Sequence, residues 1–226
     1  MASSLESNLL KLPATSFPGK LIVVEGADGS GRSTQISMLI PWLEQQGHWV
    51  VNVGLKRSAL VAEELIRAQQ GNYLSHTTMS LFYATDFADQ LENTILPGLI
   101  GGAVVLCDRY IYTLIARDLA RGGSRDWIET VYRFALKPDI IFYLQVDSQS
   151  LVDRTLEKYL QLDYWESGMD MGLSDSIFDC FVKYQDQMLK QFVEMAKTYE
   201  FNIIDGNQPR SAIFAALKSK IEPLLL

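Results

Sequence analysis

The chain has 226 residues, 48% of them hydrophobic and 21% charged, with a formal net charge of −7. That length suits one α/β domain with a full core and a small lid. The acidic balance argues against a nucleic-acid polymer as partner, which calls for a basic face, but not against a small anion held by a few amides and cations.

Residues 1–18 are Ser-rich and lack the basic and apolar regions of a signal peptide, so they read as a disordered leader before a single domain at 19–226. No apolar run is long enough to span a bilayer, so no membrane partner is expected. The two cysteines, Cys107 and Cys180, have no metal-ligand spacing and read as reduced thiols in a cytoplasmic protein.

Lys20–Glu25 is a short apolar run ending at a Gly-rich turn, the pattern of a buried strand. Helical spacing of Ile36, Leu39, Ile40 and Leu43 predicts a helix over 33–46, with Gly47 as its stop. A second strand is predicted over 49–53, then helices over 59–69 and 79–95, the latter ending near Pro97. A third strand covers 103–107, and helices follow over 111–120 and 126–135. A fourth strand covers 140–146 after Pro138, and a helix covers 150–160. The stretch 161–175 is irregular and places a lid near 158–176. A long amphipathic helix from 175 to about 199, a fifth strand over 201–204 and a final helix after Pro209 complete the chain. Short apolar strands alternating with helices predict an α/β fold: a five-stranded parallel sheet with helices on both faces, three layers in all. Ligands in such sheets bind at the carboxyl ends of the strands.

The strongest local signal sits at the first such end. Gly26, Ala27, Asp28, Gly29, Ser30, Gly31, Arg32, Ser33 and Thr34 fit the P-loop pattern, except that Arg32 stands where the pattern asks for Lys. The glycines let backbone N–H groups turn inward on phosphate oxygens, and the helix N-terminus adds its dipole. Ser33 offers a hydroxyl to Mg²⁺. Arg32 keeps the positive charge, but its planar fork cannot approach as a compact point charge. Asp108 ends the third strand and suits Mg²⁺, directly or through water, while Arg109 beside it suits bidentate contact with a phosphate. His48 and His76 have no partner in the sequence that indicates acid–base work.

In order and context, these motifs make the chain similar to the thymidylate kinase family. Glu25 through Gln35 follow the family's Glu-Gly-x-Asp-Gly-x-Gly-Lys-Ser-Thr-Gln apart from Arg32, and Asp108-Arg109-Tyr110 match its Asp-Arg-Tyr. Pro138-Asp139 and Val146-Asp147 bracket the fourth strand as in the family, Arg154 falls at the arginine after it, and Leu162–Glu166 resembles the lid sequence. The resemblance implies a homodimeric nucleoside-monophosphate kinase that moves the γ-phosphate of ATP, with Mg²⁺, to dTMP or a related nucleotide. It assigns the loop amides, Arg32 and Arg154 to the ATP phosphates, and Ser33 and Asp108 to Mg²⁺. Asp28, Arg32 and Arg109 become the catalytic set.

The acceptor positions depart from the family pattern. Its Thr-Arg-Glu-Pro-Gly, whose Arg binds the acceptor phosphate, is replaced around Lys56 and Arg57, and Arg57 or Lys56 is the substitute. Phe87 stands where the family reads thymine with Arg, which leaves base stacking as its expected role. Tyr110, Thr113 and Arg117 complete the predicted acceptor side, with Arg117 and Asp118 in place of Tyr and Gln. The lid from 161 to 175 carries acids and no Arg or Lys, leaving Arg154 and Lys158 just before it as the nearby cations. Alternatives to dTMP phosphorylation are therefore a kinase for another small acceptor and a non-catalytic nucleotide-binding relative.

Overall fold

The computed structural model describes residues 17–71, 74–158 and 164–226. The predicted leader up to residue 16 and the lid residues 159–163 lie outside the described residues. The five strands are β1 (Lys20–Glu25), β2 (Val50–Gly54), β3 (Val104–Asp108), β4 (Ile140–Gln145) and β5 (Asn202–Asp205). All pair in parallel in the order β2-β3-β1-β4-β5. β1 lies at the centre and its side chains are buried on both faces, which is why it reads as an unbroken apolar run.

The connections set where a ligand binds. From β1 the chain passes to β2 and β3 on one side, then crosses to β4 and β5 on the other. The reversal opens a crevice at the carboxyl end of β1. The register pairs Val24 with Asp108 and Glu25 with Tyr143, so the ends of three strands meet at that crevice.

Alternate residues of the strands feed two core layers. Ile22, Val24, Leu106 and Phe142 face α1 (Arg32–Gln45) and α9 (Arg210–Ile221), which contribute Ile36, Leu39 and Leu217. Leu21, Val23, Val105, Cys107 and Tyr143 face the other layer. That layer includes α2 (Ala62–Gly71), α3 (His76–Gln90), α4 (Leu96–Ile100), α5 (Ile111–Ala120), α6 (Arg125–Val131) and α8 (Ile177–Thr198). α7 (Ser148–Lys158) follows β4. Cys107 and Cys180 are both buried free thiols.

Two helix predictions need correction. The single helix expected over 79–95 starts earlier, at His76, where the Ser75 hydroxyl accepts from Thr78 N–H at 3.3 Å. It continues through a π turn at Leu91–Ile95, where Leu96 N–H reaches back five residues to Leu91 O. Pro97 then lies in the first turn of α4 instead of ending the helix, because a helix's first turn needs no N–H there. The helix expected over 126–135 stops at Val131. Tyr132 is fully buried, and Arg133 and Ala135 make tighter turns, bonding three residues back.

Leu217 is fully buried between α9 and the sheet. Leu217→Ala is expected to lower stability by about 2–5 kcal/mol in denaturant unfolding, with turnover per folded molecule unchanged.

Candidate active site

Residues 26–31 join β1 to α1 in a tight curl. Gly26, Gly29 and Gly31 have φ of 155°, 82° and 90°. A Cβ at Gly26 would come within 2.6 Å of Ser30 Oγ, so both backbone angle and space demand glycine there. Gly31 caps α1 without a side-chain hydrogen bond, which leaves the first-turn N–H groups to face the cleft. The cleft has a volume of about 740 Å³. Loop residues 27–35 form one wall; Arg154, Gly206, Pro209 and Arg210 form the other.

Arg32 folds back into this loop. Its Nη1 donates to Gly26 O, to Ala27 O at 2.7 Å and to Ser30 Oγ at 3.4 Å. Its Nε donates to Asp108 Oδ1 at 3.0 Å, while Ser33 Oγ donates to Asp108 Oδ2 at 2.9 Å. One carboxylate at the end of β3 thus ties together the cation and the hydroxyl of the P-loop motif. Burial opposes ionisation of Asp108, but Arg32 and Arg109 outweigh it and hold the carboxyl below its ordinary value. Asp28 follows the same logic. Burial raises its pKa, while Arg109, Arg117, Arg32 and Lys56 pull it well below the usual carboxylate range. Both acids therefore stay ionised at neutral pH. Their contribution to stability is lost as pH falls from the ordinary carboxylate range.

Arg109 joins the two halves of the site. It adopts a left-handed backbone, φ 73°, and its Nη2 donates to Asp28 Oδ1. A second, much smaller pocket, of about 10 Å³, is lined by His76, Tyr83, Arg117, Asp118, Tyr132 and Trp165. Tyr83 Oη accepts from Arg117 Nη1 at 2.8 Å and from Gln69 Nε2 at 2.7 Å. His76 Nε2 lies 2.6 Å from Asp118 Oδ1 without the alignment of a hydrogen bond.

The predicted residues divide into two groups. Asp28, Arg32, Ser33, Asp108 and Arg109 come together, Arg154 lines the donor cleft, and Arg117 lines the neighbouring pocket. Arg57 does not join them: it is exposed and donates to Asn52 Oδ1 at 3.0 Å. Lys56 turns inward instead, with Nζ 3.1 Å from Glu166 Oε1 and 3.2 Å from Gln69 Oε1. Its left-handed backbone, φ 61°, is held by buried Asp86, which accepts from Lys56 N and Ser58 N, each at 2.9 Å.

Phe87 is 4% exposed and packs edge-on to Tyr110 and Tyr132, so it is an interior residue, not the base platform expected of it. Tyr83, one turn earlier on the same helix face, is the aromatic residue that reaches the pocket, and that spacing was available in the sequence. Tyr110 is buried and donates to Leu136 O at 3.0 Å. Thr113 is buried against Glu25. Both support the site from behind instead of lining it. Two of the lid acids are paired: Glu166 with Lys56, and Asp170 with Arg121 at 2.8 and 3.0 Å. The Arg121 guanidinium lies over the rings of Trp165, at 4.4 Å, and Tyr184, at 4.7 Å, an anchor the sequence reading missed.

A phosphate loop and strand-end acid beside a second, cationic pocket define a phosphotransferase of the nucleoside-monophosphate kinase class. Residues 24–216 match the family model described as thymidylate kinase. A probable thymidylate kinase 2 of Saccharolobus solfataricus is 37% identical over 84% of this chain and 90% of its own. A probable thymidylate kinase of Thermococcus kodakarensis is 31% identical over 90% and 98%. A thymidylate kinase of Ruegeria pomeroyi is 29% identical over 87% and 92%. The chain belongs to the thymidylate kinase family.

Arg32→Ala is expected to cut phosphoryl transfer by roughly 10²–10³ in kcat, as removal of one charge-stabilising donor does. Arg32→Lys restores a compact cation and is expected to retain or raise kcat. Steady-state assays on folded protein, checked by circular dichroism, decide both.

Proposed function

We propose that the chain transfers the γ-phosphoryl group of ATP to dTMP, giving dTDP and ADP. The observation that carries this reading is the Asp28–Arg109 ion pair, which links the phosphate loop to the β3–α5 turn. In the reaction the bond between the γ-phosphorus and the ADP oxygen breaks as a dTMP phosphate oxygen bonds to that phosphorus. That oxygen is already anionic, so no strong general base is needed, and alignment with charge neutralisation does the catalysis. The loop amides and Arg32 hold the donor phosphates. Arg109 and Lys56 draw in the acceptor phosphate, and Asp28 fixes the direction of Arg109. Arg117 and Tyr83 bound the base.

Mg²⁺ fits the chemistry of the donor cleft. Ser33 Oγ and Asp108 Oδ2 are two hard oxygens 2.9 Å apart beside the loop. Among the described residues no group of three His, Cys, Asp or Glu forms a protein cage for a metal. Mg²⁺ would thus be held by Ser33, Asp108 and the nucleotide's own phosphates, and it would neutralise charge on them. The described residues 164–176 are proposed to belong to the lid, and the protein to work in the cytoplasm. No helix among the described residues is long and apolar enough to cross a membrane.

The acceptor assignment is tested by measuring kcat/KM for dTMP, dUMP, dCMP, dGMP and dAMP with Mg·ATP. dTMP is expected to be accepted, with its methyl group giving about 10–200-fold preference over dUMP. Lys56→Ala is expected to raise KM for dTMP by about tenfold or more while KM for ATP stays within about twofold. No turnover of any monophosphate by a folded sample that binds ATP would overturn the reading.

A homodimer is part of the same proposal. Ile66 of α2 and Leu81 of α3 are 41% and 48% exposed, and they offer an apolar face for a second copy. Light scattering at micromolar concentration is expected to give twice the chain mass, and Leu81→Asp is expected to shift it toward monomer.

A further inference from the structure

Glu25 ends β1 directly behind the phosphate loop, and its side chain is fully buried. Its Oε1 accepts from Tyr110 N–H at 2.9 Å and Thr113 N–H at 3.2 Å, and its Oε2 accepts from Thr113 Oγ1 at 2.5 Å. Tyr110 is the N-cap of α5 and makes no capping bond of its own. Glu25 therefore does from a neighbouring strand what a capping box does locally. It takes both the N-cap amide and the amide three residues on.

The residue next to that clamp is Arg109. A non-glycine side chain at φ 73° is disfavoured, and it persists only when its surroundings over-determine it. Here the restraint comes from both sides. Arg109 N–H donates to Val24 O at 3.1 Å, and the next N–H, that of Tyr110, donates to Glu25. Two consecutive residues of β1 thus fix the two peptide groups that flank Arg109. The turn they impose sends the guanidinium to Asp28 on the phosphate loop.

We propose that Glu25 is a positioning residue for phosphoryl transfer, holding Arg109 in the left-handed conformation that aims it at the acceptor phosphate. The proposal rests on the reading of Arg109 as an acceptor-phosphate ligand. Glu25 touches no substrate and acts only through Arg109.

The chemistry around Glu25 adds a pH signature. Burial pushes its carboxyl up to about 7, against the Thr113 and Tyr110 hydrogen bonds and the Arg32 and Arg109 charges, which pull it down. The groups facing it are Arg32 from α1, Arg109 from the β3–α5 turn, Cys107 from β3, Tyr112 from α5 and Tyr143 from β4. The three side chains without charge stay protonated at neutral pH, since burial raises each of them. Glu25 is then the group of this set that changes charge near neutrality. Ionised, it accepts three charge-assisted hydrogen bonds. Protonated, it is a weaker acceptor and the turn at Arg109 loosens. Acceptor binding therefore weakens as pH falls through about 7.

The test compares wild type, Glu25→Gln and Glu25→Ala from about pH 5.5 to 9, varying dTMP and Mg·ATP separately. Glutamine keeps the clamp's shape, with its oxygen on the two amides and its NH₂ on Thr113 Oγ1, so Glu25→Gln is expected to melt near wild type. Its KM for dTMP at pH 8 is expected to rise about tenfold, with KM for ATP within about twofold. The acid-side loss of kcat/KM attributable to Glu25 should vanish in Glu25→Gln. Any loss from ionisation of dTMP itself is common to both enzymes and cancels in the comparison. A wild-type KM for dTMP in Glu25→Gln, or an unchanged acid limb, overturns the proposal. So does an equal rise in both KM values, which marks a merely structural role. A readout independent of turnover is the ¹³Cα shift of Arg109, expected to leave the left-handed range in Glu25→Ala. Wild type inactive on every monophosphate would overturn the kinase reading, while the Arg109 shift would still decide whether Glu25 sets that backbone.

Discussion

The site depends on one carboxylate, Asp108, with two different bonds to the phosphate loop. Oδ1 takes the Arg32 guanidinium and Oδ2 takes the Ser33 hydroxyl. The contact is possible because parallel pairing sets Val24 of β1 beside Asp108 of β3. Slipping that register by one residue would turn Asp108 to the opposite face of the sheet and leave Arg32 facing Asp28 alone. The burial of β1 fixes the register, since a slip would also misplace Leu21, Ile22, Val23 and Val24, all fully buried. Core packing thereby fixes the geometry of a polar site.

The arginine in place of lysine has a structural reading. A lysine would present one ammonium with three donors, whereas Arg32 spreads its donors over Gly26 O, Ala27 O, Ser30 Oγ and Asp108 at once. The guanidinium therefore braces the loop from within as well as bringing charge to it. Burial and the nearby Arg109 lower the pKa of Arg32, and Asp108 and Asp28 offset that only in part. The positive charge is kept because acids surround it.

The donor half of the site was legible in the sequence because it is local. Gly26 through Ser33 form one continuous turn, and Asp108 closes a strand whose apolar run announces it. The acceptor half was less legible because its residues come from separate elements. Lys56 and Arg57 are adjacent, and nothing in their order tells which one turns inward. Asp86, thirty positions away, decides it by accepting the Lys56 and Ser58 amides. Phe87 and Tyr83 share a helix face, and the aromatic cluster of Tyr110, Tyr132 and Phe134 claims Phe87 for the core. Pro97 misled for a related reason: a π turn shifted the hydrogen-bond ladder, and the proline fell in a first turn where its missing N–H costs nothing.

The acidic lid follows from the same balance of charge. Lys56, Arg109 and Arg117 surround Glu166 across the cleft, and together they outweigh burial and the repulsion of Asp28 to keep its carboxyl ionised. Asp170 is bound by Arg121, whose guanidinium is held between Trp165 and Tyr184. A lid arginine here would face three cations already in place, and like charges at such range repel. An acid instead draws the lid onto the acceptor side through Lys56. The cations that α5, the β3–α5 turn and the β2–α2 loop bring to the cleft thus account for a lid that carries carboxylates. On the proposed reading, the positive charge for phosphoryl transfer comes from the walls of the cleft, and the cover supplies the counter-charge.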